Sequence, residues 1–173
     1  MTEPDTDIVI DYFSDVLCVW AWIAQARLDE LEEQWGERVT LRHHFVDIFG
    51  DCYRKIPDAW GSSDGFEKFG DHVQHSAHPF KQVEINPAVW HSVRPRSSAQ
   101  AHVLLCAAVN AFGEAPAATL ALKIRSAFFC DARDISNIQE LMRIANSCDL
   151  DTDALHAGLN DGSACLLYTS DAA

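Results

Sequence analysis

The chain is poor in positive charge. It has 13 lysines and arginines against 26 aspartates and glutamates, a formal net charge of −13. Because an acidic surface repels phosphate groups and anionic lipid headgroups, we expect neither nucleic acid nor a membrane as a partner. No apolar run approaches the length of a membrane span, and the acidic start MTEPDTD lacks the features of a signal peptide. We therefore expect a cytoplasmic protein.

The sequence also lacks a paired-cysteine motif. None of its six cysteines forms a CxxC pair, so neither a zinc ribbon nor a disulfide framework is indicated. The cysteines are Cys18, Cys52, Cys106, Cys130, Cys148 and Cys165. Histidines recur every third residue in DHVQHSAH, but this helical spacing turns His72 and His78 apart. We expect no metal site.

The N-terminal part follows a strand, helix, strand pattern. Residues 7–13, DIVIDYF, alternate as in a β-strand. A helical pattern runs from Val19 to about Trp35 and ends at Gly36. Residues 38–46 predict a second strand. This order is a βαβ unit, so the two strands should be parallel.

The remainder is helical by pattern. Residues 47–63 and 79–96 are rich in breakers and predict irregular structure and a loop. Helices are predicted at about 64–76, 97–112 and 116–130, then from a capping box at Ser136, and after a cap at Asp151. Two strands are marginal for a sheet, and further strands would be expected after residue 160.

The last nine residues, CLLYTSDAA, do not continue the helical pattern. They match, in register, the translation of a transposon-end sequencing adapter. We expect residues 164–173 to be an adapter artefact, with the gene cut near Ser163 and no function for Cys165.

Cys18 lies where the first strand gives way to the first helix, in FSDVLCVWAWIAQ. Free N–H groups and the helix dipole at a helix start stabilise a thiolate. A thiolate is the nucleophile in disulfide exchange. The alternative is that Cys18 is a small apolar core residue.

Two stretches resemble the DsbA-like thioredoxin superfamily: SDVLC-x-W-x-W followed by Ile, and FFCDARDIS. The similarity is greatest to its cytoplasmic branch and to 2-hydroxychromene-2-carboxylate isomerases and kappa-class glutathione transferases. It implies an α/β, thioredoxin-like fold with an inserted helical domain. Residues 1–50 would be the N-terminal half of the thioredoxin-like domain and 51–163 the insertion. The family's cis-proline loop and C-terminal strands have no counterpart, because no proline follows Pro116.

The resemblance assigns Cys18 as the attacking cysteine of a C-P-W-C pattern and Trp20 as its tryptophan. Val19 replaces the proline, and Ala21 replaces the resolving cysteine. This implies a monothiol thiol–disulfide oxidoreductase. A glutathione-dependent isomerase or transferase and a non-catalytic binding module are the alternatives. Those isomerases and transferases usually carry serine at the first position, so Cys18 argues mildly against that branch.

Substrate contacts are predicted near Cys18 and at a second helix start. Trp20 could line a cleft with Ala21 and Trp22, although core packing is an alternative for both tryptophans. Trp60 and Trp90 lie in predicted loops that could cover the cleft. At the helix start, Arg94 with Arg96, Ser97 and Ser98 could bind an anion such as a glutathione carboxylate, or form an ordinary helix cap.

Glutathione would then be a co-substrate, with no tightly bound cofactor. The partner would be a small-molecule or protein thiol or disulfide. Cys52 could act as a distant resolving thiol or be a simple loop cysteine. Cys106, Cys130 and Cys148 lie in apolar helical contexts and are expected to be inert.

Overall fold

The structure, a computed structural model, describes residues 8–36 and 38–171. The chain begins with a βαβ unit made of β1 (Ile8–Ser14), α1 (Val19–Trp35) and β2 (Val39–Phe45). Seven helices follow: α2 (Cys52–Trp60), α3 (Gly65–Ala77), α4 (Ala99–Phe112), α5 (Glu114–Phe129), α6 (Ile138–Asn146), α7 (Thr152–Asn160) and α8 (Ser163–Asp171). The fold is α/β, as predicted, and mostly helical.

β1 and β2 form a parallel pair, which confirms the prediction from the βαβ pattern. The register runs from Ile8 opposite Val39 to Ser14 opposite Phe45. Toward the end of β1, Tyr12 and Ser14 are more buried than Phe13, which is exposed. At the carboxyl end of β1, just before the turn that leads into α1, the Ser14 side chain is therefore buried in the protein. Within residues 8–36 and 38–171 the sheet has these two strands.

The irregular structure predicted for residues 47–63 is wrong over half of that range. α2 forms there because the Asp51 side chain accepts the Arg54 N–H and caps the helix. Cys52 and Ile56 then bury one face. Pro57 lies inside this helix, where its missing N–H costs one hydrogen bond. The proline and the nearby glycines pointed to a loop, but the cap and the buried face decide the structure.

Two further boundaries differ from the sequence pattern. The cap of α6 is Asn137, whose side chain accepts the Gln139 N–H, whereas Ser136 donates to Asp134. The last nine residues, 165–173, are predicted not to continue the helical pattern, but 165–171 belong to α8 (Ser163–Asp171), which packs against α4, and 172–173 lie outside the described residues. Ala164 of α8 is fully buried. The division into residues 1–50, 51–163 and 164–173 stays a prediction.

The core contains an aromatic cluster where the loop before α4 packs against α3 and α5. Trp90 is fully buried, and its ring lies 5.2 Å from that of Phe69 and 5.3 Å from that of Phe128. Its φ of 64° is in the left-handed region, which is unusual for so bulky a residue. Trp90 therefore lies in the loop before α4, as predicted, and packs in the core. None of the helices in the described part is long and apolar enough to cross a membrane.

Candidate active site at the start of helix α1

Cys18 is the N-cap residue of α1 and a free, partly exposed thiol. Its backbone is extended, with φ −78° and ψ 116°, and its carbonyl accepts the Trp22 N–H at 3.1 Å. The side chain makes no capping hydrogen bond, and the first turn contains no acidic residue. The N-terminus of α1, where backbone N–H groups are left without helical partners, therefore begins at Cys18 with no side-chain cap and no acidic neighbour in the first turn.

Asp15 fixes the turn that presents Cys18. Its carbonyl accepts the Cys18 N–H at 3.1 Å, and its fully buried carboxylate accepts four further hydrogen bonds. Oδ1 accepts from Leu17 N–H, and Oδ2 accepts from Ile48 N–H, Phe49 N–H and the Ser98 hydroxyl, at 2.8–3.1 Å. One carboxylate thus joins the β1–α1 turn, the chain after β2 and the start of α4.

His102 of α4 completes this cluster. Its Nε2 lies 3.2 Å from the Val16 nitrogen and 3.5 Å from Asp15 Oδ1. One ring nitrogen cannot accept from Val16 and donate to Asp15 together, and the shorter contact assigns it as an acceptor. Burial alone would raise the pKa of the Asp15 carboxyl. The hydrogen bonds that the carboxylate accepts, among them those from the Leu17 and Phe49 N–H groups, outweigh burial, so this pKa lies below its usual value.

Arg125 is a buried cation at the carboxyl end of β1. It belongs to α5, is 1% exposed, and its Nη2 donates to the Ser14 hydroxyl at 2.7 Å. Its buried Nε has no hydrogen-bond partner among the described residues. Burial lowers the pKa of the guanidinium, while the nearby Tyr12, Asp15 and Cys18 act to raise it.

Two ring side chains share the surroundings of Arg125. Burial raises the pKa of Tyr12, and the charge of Arg125 opposes this shift in part. The pKa of His43 falls to about 4 because of burial first, then the charges of Arg125 and His44. The Tyr12 and His43 rings meet edge to face at 5.6 Å. Neither group supplies a negative charge to Arg125 at neutral pH.

The predicted contacts beside Cys18 occupy different environments. Trp20 is 54% exposed and lies two residues from the thiol. Ala21 is buried. Trp22 stacks on Phe129 at 5.8 Å and donates its indole N–H to the Glu84 carbonyl. Trp20 therefore has exposed surface that a ligand can contact, whereas Trp22 packs against Phe129 of α5.

The residues of the predicted anion site have partners within the protein. Arg94 donates to the Glu67 carboxylate at 2.8 Å and to the Trp90 carbonyl at 3.0 Å. Ser97 accepts the Ala99 N–H, as a helix-start residue does. Ser98 is fully buried and donates to Asp15. Ser98 is therefore linked to the Cys18 turn through Asp15, and anion binding here stays a prediction.

Burial disfavours the thiolate at three of the other cysteines, Cys52, Cys130 and Cys148. Cys52 is fully buried in α2, and burial raises the pKa of its thiol to about 12. Burial also raises the pKa of Cys130 and of Cys148. Cys165 is exposed on α8. In residues 8–36 and 38–171 no three His, Cys, Asp or Glu side chains are placed to hold a metal ion.

The Cys18 site does not lie in the surface groove between α6 and α7. A surface groove of about 500 Å³ lies between α6 and α7 and is lined by residues including Ile138, Met142 and His156. Neither Cys18 nor the residues around it line that groove. The site is defined by its chemistry: a thiol at a helix start, a buried carboxylate and a buried cation.

Sequence reasoning missed Asp15, His102 and Arg125. In each case the sequence has a polar residue where the fold buries a side chain. Arg125 falls on the buried face of α5 with Ala121 and Phe128, at spacings of four and three. His102 interrupts the apolar run of α4. A buried charge of this kind is retained only where partners compensate for its lost hydration.

A profile of the DSBA-like thioredoxin domain matches residues 9–172. The chain belongs to the DSBA-like thioredoxin domain family. The match spans the βαβ unit and the helices that follow it. It therefore includes the turn at Cys18 and the residues that bond to it, Asp15, Ser98 and His102. A comparison with curated proteins finds no significant match.

Solved structures show the same fold as this DSBA-like chain at low sequence identity. A proposed protein disulfide isomerase from Nitrosomonas europaea is 11% identical, with a TM-score of 0.77 over 95% of this chain and 76% of that one. The cytosolic disulfide reductase DsbM from Pseudomonas aeruginosa is 16% identical, with a TM-score of 0.72 over 95% and 76%. A 2-hydroxychromene-2-carboxylate isomerase is 16% identical, with a TM-score of 0.64 over 95% and 77%.

Proposed function

We propose that this DSBA-like protein catalyses monothiol thiol–disulfide exchange at Cys18, with glutathione as co-substrate. The observation that supports it most is the place of Cys18: a partly exposed free thiol at the start of α1, three residues before Ala21. In a C-x-x-C motif, position 21 would hold the second thiol. Alanine there leaves a mixed disulfide on Cys18 to be resolved by a thiol from solution.

The exchange proceeds in two displacements. The Cys18 thiolate attacks the glutathione sulfur of a mixed disulfide, so a Cys18–glutathione disulfide forms and the substrate leaves as a thiolate that takes up a proton. A glutathione thiolate then attacks the glutathione sulfur of that adduct. Oxidised glutathione leaves, and the Cys18 thiolate is restored. In sum, a mixed disulfide and one glutathione give a substrate thiol and oxidised glutathione.

The surroundings of Cys18 suit an external thiol. Trp20 is half-exposed beside the thiol and provides an apolar face for a bound substrate. One solved structure of DsbM from Pseudomonas aeruginosa contains GSH, at 18% identity and a TM-score of 0.69. We extend this ligand to the present chain and propose a cytoplasmic setting, where glutathione is reduced and abundant. Small-molecule and protein disulfides are both proposed substrates.

The Cys18→Ser variant is expected to lose the activity. We expect at least about a hundredfold fall in glutathione-dependent reduction of a glutathionylated peptide, because serine does not form the disulfide intermediate. The rate is followed by coupling oxidised glutathione to glutathione reductase. Cys165→Ser is the matched control, since it removes an exposed thiol of α8 and should leave the rate unchanged. An unchanged rate in Cys18→Ser would contradict the proposal and favour a non-catalytic role.

A further inference from the structure

His102 of α4 is a buried polar side chain to which the exchange chemistry gives no direct role. Its ring is fully buried, with its centroid 5.5 Å from that of Phe45 in β2 and 5.6 Å from that of Tyr168 in α8. A buried polar group is costly unless it is hydrogen-bonded. The position of this ring in the core therefore depends on the partners of its two nitrogens.

The two ring nitrogens have different neighbours, and these neighbours fix the tautomer. Nε2 lies 3.2 Å from the Val16 nitrogen and accepts that N–H, while Nδ1 lies 3.4 Å from the Tyr168 hydroxyl. In a neutral imidazole one nitrogen is an acceptor and the other carries the proton. His102 therefore holds the tautomer in which the proton is on Nδ1 and Nε2 is the acceptor.

Three successive backbone N–H groups connect this acceptor to the thiol. The Val16 N–H donates to His102 Nε2, 86 residues away in the sequence. The Leu17 N–H donates to Asp15 Oδ1 at 2.8 Å, and the Cys18 N–H donates to the Asp15 carbonyl at 3.1 Å. Two of the three acceptors thus belong to the turn itself, and α4 supplies the third. Because Val16 is fully buried, its N–H would be left unsatisfied without His102.

The start of α4 contacts the turn through a second polar side chain. Ser98 is the N-cap residue of α4, but its hydroxyl makes no capping hydrogen bond and donates to Asp15 Oδ2 at 2.8 Å. Ser98 and His102 are one helical turn apart, so their side chains share a face of the helix. Both are fully buried. This face of α4 therefore binds the turn at two points, the Asp15 carboxylate and the Val16 N–H.

We propose that His102 is a positioning residue for Cys18: by accepting the Val16 N–H, its Nε2 fixes the turn that places the sulfur at the start of α1. The inference rests on the proposed function, because it concerns the same thiol. In disulfide exchange the attacking sulfur must approach in line with the disulfide bond. A displacement of about 1 Å can slow such a step by up to about a hundredfold. A helix outside the βαβ unit thereby contributes to the reactivity of Cys18.

The test compares two amide side chains that differ in reach. In His102→Gln the side-chain oxygen can occupy the place of Nε2 and accept the Val16 N–H, whereas the shorter side chain of His102→Asn does not reach it. The readout is the rate at which dithiodipyridine, a small disulfide, modifies Cys18 at neutral pH, followed by mass spectrometry of the Cys18 peptide. We expect His102→Asn to react at least about tenfold more slowly than the wild type, and His102→Gln within about threefold of it.

The exposed Cys165 is the internal control, and its rate should be the same in all three proteins. A Cys18 rate in His102→Asn that equals or exceeds that of the wild type would overturn the inference. So would a rate in His102→Gln as low as that in His102→Asn, because a role of the ring in packing alone is not restored by an acceptor.

The reagent replaces glutathione, so this test is separate from that of the proposed function. A His102-dependent rate without glutathione turnover would reject the proposed function alone, and turnover with a His102-independent rate would reject the inference alone. If His102→Asn does not fold, heteronuclear NMR of the wild-type histidine ring at neutral pH decides. The inference requires a proton on Nδ1 and none on Nε2, and a protonated Nε2 would overturn it.

Discussion

Replacing Asp15 with alanine is expected to lower the free energy of unfolding by about 3–5 kcal/mol. The change leaves the buried Leu17 N–H and Ser98 hydroxyl, and the part-buried N–H groups of Ile48 and Phe49, without their acceptor. These donors belong to three separate parts of the chain, so the loss loosens the β1–α1 turn, the segment after β2 and the start of α4 together. The measurement is urea unfolding followed by circular dichroism, with the midpoint and the slope both fitted.

Asp11→Ala is the matched control for this prediction. Asp11 lies on β1, four residues before Asp15, is half-exposed and pairs with His44 at 2.8 Å. Such surface pairs are worth about 1 kcal/mol at most. A loss in Asp15→Ala no larger than that in Asp11→Ala would show that the buried carboxylate does not hold the turn.

The contribution of Asp15 should also depend on pH. Its pKa is lower in the folded chain than its usual value of 3.8, so the ionised carboxylate stabilises the fold. This contribution to stability is fully present at pH values above the usual pKa of 3.8. It is lost as the pH falls through the lowered pKa of the folded state. The difference between wild type and Asp15→Ala should therefore shrink in that acid range. A difference that stays constant down to the acid unfolding of the protein would contradict this assignment.

Replacing Ala21 with cysteine is expected to convert the monothiol site into a dithiol site. Residue 21 is the third residue of α1, and Cα atoms three residues apart at a helix start lie about 5–6 Å apart, within the span of a disulfide. The new thiol would attack the Cys18 mixed disulfide intramolecularly. We expect release of bound glutathione to become at least about a hundredfold faster and independent of added thiol.

The measurement is the decay of the Cys18–glutathione adduct, followed by intact mass after excess glutathione is removed. Ala24→Cys is the matched control, because it adds a thiol to the same helix six residues from Cys18, about 9 Å along the helix axis and too far for a disulfide. It should leave the decay as slow as in the wild type. Adduct decay in Ala21→Cys at the wild-type rate would show that position 21 does not face the Cys18 sulfur.

The βαβ unit was predictable because its signals are local. The bounds of β1, α1 and β2 were predicted within one or two residues. The signals were the alternation in DIVIDYF, the apolar period in α1 and the helix-ending Gly36. The same local signals misled at α2, where Pro57 and the surrounding glycines outweighed the cap at Asp51. They also misled at α8, where the helix packs its buried Ala164 side toward α4.

The cysteine turn was predictable, but the network behind it was not. Cys18 follows a strand directly and precedes a helix, and both features are visible in a short stretch of sequence. The groups around it come from distant parts of the chain: Ser98 and His102 lie over 80 residues from the partners they bond in the turn, and Arg125 lies 111 residues from Ser14. Such pairings depend on tertiary packing, which a single sequence pattern does not show.

The most direct test of the central claim is to locate glutathione on the protein after incubation of the native chain with oxidised glutathione. Peptide mass spectrometry then reports the occupancy at each cysteine. We expect the adduct at Cys18 first, its removal by reduced glutathione, and no modification of the buried Cys52. An unmodified Cys18, or a Cys18 modified no faster than the exposed Cys165, would contradict an exchange site at the start of α1.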